Sequence, residues 1–143
     1  MFISIASDQG GFQLKKHLAA LLEKEGHHVI DRGCPDENSV DYPDYANLVA
    51  QDILAGNAEY GVLVCGSGIG MSIMANRHPG VRAALVHREE YAKLAREHND
   101  ANVICLGGRF LEKEEAERFV KIFLSTAFEG GRHARRVAKF DAC

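Results

Sequence analysis

The chain has 143 residues, 46% of them hydrophobic and 26% charged, and carries a net charge of −3. That length suits a single domain, residues 1–143, around one core. The charge argues against a nucleic-acid binder held by bulk electrostatics, and no apolar run is long enough to span a bilayer.

Phe2 to Ser7 reads as a first strand, with Asp8-Gln9-Gly10-Gly11 as the turn after it. Leu14, Leu18, Leu21 and Leu22 then recur at helical spacing, with Lys15, Lys16, Glu23 and Lys24 on other faces, and Gly26 stops that helix. His28 to Asp31 is a short second strand, and Gly33 to Pro43 a loop marked by Pro35, Asp36, Asn38 and Pro43. Tyr45, Leu48, Val49 and Ile53 trace the next helical face, which Gly56-Asn57 closes. Gly61 to Cys65 is a third strand. It breaks into Gly66, Gly68 and Gly70, and a helix follows through Met71. Pro79-Gly80 is a turn, Val81 to Val86 a fourth strand, and Arg88 to Glu97 a helix. Ala101 to Gly107 is a fifth strand. Ala116, Phe119, Val120, Phe123 and Leu124 give the clearest amphipathic helix, Glu129-Gly130-Gly131 breaks it, and a basic segment, Arg132 to Lys139, follows.

Strands alternate with helices, and the strands are almost continuously apolar. This predicts an α/β protein, a three-layer αβα Rossmann-like fold with a five-stranded parallel sheet. Ligands of such folds bind beyond the carboxyl ends of the strands. Asp8, the run Cys65 to Gly70, and Gly107-Gly108-Arg109 all fall there.

The four cysteines, Cys34, Cys65, Cys105 and Cys143, are widely spaced, with no Cys-x-x-Cys pair. A chain that can build a core has no need of a disulfide scaffold, so a reducing cytoplasm is expected. The start, Met1-Phe2-Ile3-Ser4-Ile5, lacks the pattern of a signal peptide. No His/Cys/carboxylate cluster has zinc spacing, so metal-independent chemistry without a cofactor is expected.

A strand that ends in glycines and opens into a helix leaves amides free to meet an anion. The spacing of Gly66, Gly68 and Gly70 after a third strand is not the dinucleotide fingerprint, and no Lys-Ser/Thr follows to make a P-loop. A small-anion site is the better reading, against a tight turn with no ligand. Cys65 ends the strand at the lip of this loop. Most cysteines are buried and inert, as expected for Cys105 and Cys143. A helix N-terminus favours the thiolate, which could serve as nucleophile or as general base. His98 falls in the series Tyr91, Leu94, Ala95, His98, the spacing of a buried helical face, while the polar Asn99-Asp100 after it leaves a functional role open. Arg132 and Arg136 would share a helical face, and with Arg109 could clamp a phosphate. A solvated basic tail is the plainer alternative, and Arg135 reads that way. Asp8 is either a turn cap or a site carboxylate.

Taken together, Ser-Asp-x-Gly-Gly-Phe-x-Leu-Lys at the start, Val40-Asp41-Tyr42-Pro43, Cys65-Gly66-Ser67-Gly68-Ile69-Gly70-Met71-Ser72-Ile73, His98-Asn99-Asp100-Ala101-Asn102 and Glu129-Gly130-Gly131-Arg132-His133-x-x-Arg136 resemble the ribose-5-phosphate isomerase B family. Galactose-6-phosphate and allose-6-phosphate isomerases belong to its wider group. The resemblance implies a metal-free interconversion of ribose 5-phosphate and ribulose 5-phosphate through an enediolate. It casts Cys65 as the base that moves the proton between C1 and C2. The loop Gly66, Ser67, Gly68, Ile69 and Gly70 stabilises the enediolate, with the hydroxyl of Ser67 as proton shuttle. His98 opens the furanose ring with help from Asp8. Arg109, Arg132 and Arg136 hold the phosphate, and Tyr42 and Asn99 line the site. It further implies a homodimer, or a tetramer, with sites at the interface between copies. One departure stands out: Gln9 takes a position where the family usually has a substrate-contacting histidine. An amide donates hydrogen bonds but cannot become a cation, which puts substrate preference in question. A six-carbon sugar phosphate as substrate, or a regulator that binds sugar phosphate without turnover, are the alternative readings.

Overall fold

The computed structural model of the protein describes residues 1–142. Cys143 lies outside the described residues. Five strands, β1 (Phe2–Ser7), β2 (His28–Asp31), β3 (Tyr60–Cys65), β4 (Ala83–Leu85) and β5 (Val103–Gly107), form one parallel sheet in the order β2-β1-β3-β5-β4. Six helices complete it: α1 (Phe12–Lys24), α2 (Tyr42–Ala55), α3 (Ile69–Ala75), α4 (Glu89–Glu97), α5 (Lys113–Ser125) and α6 (Arg132–Val137).

Side chains alternate across a strand, so each strand feeds two cores. Ile3, Ile5, Val62, Val64, Ile104 and Leu106 face α1, α4 and α5, where Leu18, Leu22, Ala95, Phe119 and Phe123 meet them. Ala6, Leu63, Cys65, Val103 and Cys105 face α2 and α3, against Val49, Ala50, Met71 and Ala75. The three-layer αβα architecture expected from the sequence is therefore present. The chain leaves β1 toward one edge of the sheet and returns to place β3 on its other side. The carboxyl ends of β1 and β3 form the crevice where such sheets bind ligands.

The departures from expectation have local causes. Pro43 belongs to the first turn of α2 rather than to the loop, where proline's fixed φ and missing N–H cost nothing. The buried face of α2 is Ala46, Val49, Ala50 and Asp52, while Leu48 is exposed. Asp52 can be buried because Arg32 grips it with two bonds of 2.8 and 2.7 Å and Ser4 donates at 2.7 Å. Arg32 and its hydrogen bonds hold the Asp52 carboxyl below the usual carboxylate range, against the opposing effect of burial. Lys15, placed by its spacing on a face other than that of the leucines, is itself buried, bonded to Asp31 and to the carbonyl of Cys34. β4 is shorter than the run Val81 to Val86, because the N–H of Arg82 donates to the side chain of Asn102 instead of a strand. Residues Arg132 to Val137 coil into α6. No helix among the described residues is long and apolar enough to cross a membrane.

Candidate active site

Cys65 ends β3 with its side chain turned toward α3, and only 5% of it is exposed. Its Sγ accepts a hydrogen bond from the N–H of Gly68 at 3.1 Å. Gly68 sits at φ +81, and a Cβ there would come within 2.9 Å of the Leu106 backbone. Only glycine takes this left-handed position without strain, so the turn that aims its N–H at the sulfur depends on it. The exposed Ser67 hydroxyl accepts from the N–H of Ile69 at 3.2 Å. The N–H groups of Gly66, Ser67 and Gly70 have no acceptor among the described residues. A thiol thus stands beside a loop with three unpaired amides, which suits a group that acquires negative charge.

The other strand ends complete this edge. Asp8 follows β1, and its Oδ1 accepts from the N–H of Gly10 at 2.9 Å and of Gly11 at 3.2 Å. It caps the single 3₁₀ turn of residues Gln9–Gly11. A Cβ at Gly10 would stand 3.1 Å from the nitrogen of Gly66, so this turn lies directly on the cysteine loop. Gln9 reaches sideways, accepting at its Oε1 from the N–H of Val40 at 3.0 Å. Tyr42, at the start of α2, lays its ring against Gly70, where a Cβ would fall 2.5 Å from a ring carbon. After β5, the N–H of Arg109 donates to the carbonyl of Gly66, and its guanidinium lies over the same glycine. That guanidinium has no acceptor among the described residues, so a cation is available beside the loop.

The remaining candidates sit elsewhere. Cys65 pairs with Gly107 at the carboxyl end of the sheet, and Gly61 with Val103 near the amino end. Four strand residues separate these levels by about 13 Å. His98 and Asn99 precede Val103, after a helix that runs back along the sheet, and the neighbouring Asn102 accepts from Gly61. They therefore lie at the amino edge, opposite Cys65. α6 joins them there. Its His133 ring stacks on His98 with centroids 4.2 Å apart and planes 13° from parallel, and the N–H of Glu129 donates to the carbonyl of Glu97. Arg132 and Arg136 are exposed beside them, so one chain does not gather the three arginines into a single clamp. Nor is His98 a core histidine. Tyr91 and Leu94 are exposed, because α4 buries instead the face of Ala92, Ala95 and Arg96, whose guanidinium lies over the Tyr60 ring and donates to the carbonyl of Ala101. His98 instead caps the end of α4, its Nε2 3.5 Å from Glu129.

His133 was not singled out by the sequence, although it lies within the Glu-Gly-Gly-Arg-His segment. It is 7% exposed, and its Nε2 has no hydrogen-bond partner. Burial pushes its pKa down, with His98 and the two arginines adding to the effect. His98, Glu129 and His133 bring three potential metal ligands within 4.8 Å of one another. Near-parallel stacked rings do not aim their in-plane lone pairs at one point, and Arg132 and Arg136 add positive charge. The positive charge here suits an anion better than a cation.

The chain that carries these two edges is similar to known proteins over almost its whole length. Residues 3–140 match the model of the family described as Ribose/Galactose Isomerase. Ribose-5-phosphate isomerase B of Escherichia coli is 40% identical over 98% of this chain and 94% of its own length. A crystal structure of a ribose 5-phosphate isomerase from Thermotoga maritima superposes with a TM-score of 0.98 at 50% identity, covering 99% of this chain and 98% of that one. Ribose-5-phosphate isomerase B from Mycoplasma genitalium, with bound ribulose-5-phosphate, gives 0.94 at 43% identity over 99% of this chain and 94% of that one. With nearly the whole sequence matched at these levels, the chain belongs to the Ribose/Galactose Isomerase family.

Proposed function

We propose that this chain is one sugar-phosphate isomerase domain that interconverts ribose 5-phosphate and ribulose 5-phosphate in the cytoplasm. The observation that carries the reading is Cys65 beside the unpaired amides of Gly66, Ser67 and Gly70. The likeness to a structure holding ribulose-5-phosphate supports the five-carbon substrate over the six-carbon one and over a regulator without turnover.

The chemistry follows from these groups. The open aldose has a C1 carbonyl and an acidic hydrogen on C2. The Cys65 thiolate takes the C2 proton, and the electron pair moves into a C1–C2 double bond as charge builds on O1. The amides of the loop meet that charge in place, at no reorganisation cost. Ser67 passes the O2 proton to O1, and Cys65 returns its proton to C1, leaving the ketose and the original thiolate. The reaction is redox-neutral overall and needs no further group. Arg109 at the same lip and Arg132 with Arg136 are assigned to the phosphate, His98 with Asp8 to opening the sugar ring, and Tyr42, Asn99 and Gln9 to lining the site.

These roles require Cys65 and His98 to meet one substrate, yet they lie at opposite edges of a chain. A homodimer resolves this, each site taking Cys65 from one copy and His98, Asn99, Arg132 and Arg136 from the other; a tetramer would pair two such dimers. Exposed Ile69, Ile73 and Phe110 beside the cysteine loop supply apolar surface of the kind that interfaces cover. In Cys65→Ala, kcat should fall by about a thousandfold with the fold intact, the range general-base catalysis supplies. An alanine variant that keeps most of the isomerase activity sinks the assignment.

A further inference from the structure

The segment between β2 and α2 is anchored at its start and loose at its end. Gly33 accepts from the N–H of Ser7 at 2.7 Å, Cys34 donates to the carbonyl of Ser7 at 2.9 Å, and the side chains of Gln13 and Glu37 bond midway. Residues 35–39 are exposed. Beyond Glu37, among the described residues, a single hydrogen bond ties residues 38–41 to the body of the fold ahead of α2: the N–H of Val40 to Oε1 of Gln9. Two residues later Tyr42 begins α2 and closes over Gly70, which carries one of the unpaired amides. Gln9 belongs to the turn that rests on Gly66. One side chain therefore links the wall carrying Tyr42 to the floor of the cysteine loop.

We propose that Gln9 is a positioning residue, a neutral latch whose carboxamide oxygen holds Val40 and so fixes Tyr42 across the glycine loop. The proposal rests on the isomerase reading above for its kinetic part only. Because Val40 offers an N–H, the atom facing it must be the amide oxygen. The NH₂ group is then the end left free, with two donors and no charge. An imidazole in the same place could accept from Val40 only while one ring nitrogen is unprotonated, so it would release the segment as the pH falls through about 6.5. The amide does not titrate. The latch holds Tyr42 at every pH at which the enzyme folds, and adds no charge to a lip that already carries Arg109.

The test separates holding from charge. In Q9A the oxygen is gone. The Val40 amide should exchange with deuterium about tenfold faster, and KM should rise about fivefold with kcat within about twofold, as loss of one positioning hydrogen bond allows. In Q9E the carboxylate still accepts from Val40, so exchange should stay at the wild-type rate. Its KM should rise only through repulsion of the phosphate, and that rise should vanish at high ionic strength. An unchanged KM in Q9A overturns the proposal, as does Q9E exchanging at Val40 as fast as Q9A. A wild-type protein that fails to turn over ribose 5-phosphate would sink the isomerase reading instead. The exchange comparison, made on protein alone, would still decide whether Gln9 is the latch.

Discussion

Consider two inactive variants mixed together, Cys65→Ala and His98→Asn. The sheet register puts the Cys65 level about 13 Å from the level of Val103, and His98 lies before Val103 on that far side. A pentose phosphate cannot bridge the two within one chain. In a symmetric dimer each site draws one residue from each copy. Random exchange of equal amounts gives half of the dimers as heterodimers. Each holds one site with both lesions and one site with neither, so the mixture should show about a quarter of wild-type activity. The measurement is isomerase activity after denaturing and refolding the pair together, compared with each variant refolded alone. If every site lies within one chain, the mixture gives only the mean of its two inactive parents. That result would refute the dimer argument while leaving the assignment of Cys65 untouched.

Three further predictions concern the frame around the site. Asp52→Ala should lower stability by about 2 kcal/mol in denaturant unfolding, since it strips Ser4 and Arg32 of a shared acceptor. The same carboxyl sets an acid limb. Its folded pKa lies below its unfolded value, so the stability it supplies is complete above pH 4 or so and lost as the pH drops through the folded value. That limb should be missing in the variant. His133 works at milder pH: its folded pKa lies below 6.5, so the unfolded chain binds the extra proton first. Stability should decline as the pH falls from 6.5 through the folded value, and His133→Phe should flatten that part of a Tm–pH profile. Gly70→Ala drives a methyl to within 2.5 Å of the Tyr42 ring and should cost about tenfold in kcat/KM at an almost unchanged Tm, the ring swinging out to relieve a clash of one methyl. Unchanged kinetics there would mean that Tyr42 does not wall the site.

The strands were legible because their composition is nearly uniform, and the amphipathic α5 because Phe119, Val120 and Phe123 recur at helical spacing. The buried face of α2 was not legible. Nothing local says that Asp52 turns inward; its partners Ser4 and Arg32 are far away in sequence. The face of α4 is hidden for a related reason: size points to Tyr91 and Leu94, while the packed positions hold Ala92, Ala95 and Arg96. The cysteine loop could be read almost whole, because glycine spacing after a strand is a local signal. The separation of His98 from Cys65 was readable in principle. His98 follows a helix and precedes a strand, and in a parallel sheet such turns lie at the edge opposite those that follow strands. The stacking of His133 on His98 had no sequence signal, because β5 and α5 lie between the two in the chain.

The last helix hangs from the body by little. Of its residues only His133 is buried, and Gly130 and Gly131 before it both take positive φ. Proteins open in parts, and elements with few buried contacts open first and at the lowest free energy. α6 is such a unit here, and it carries two of the three arginines assigned to the phosphate. Heating should therefore switch the enzyme off before it melts it. Phosphate affinity would fade over a range where the sheet is still intact by circular dichroism, and a bound phosphate would draw the two transitions back together.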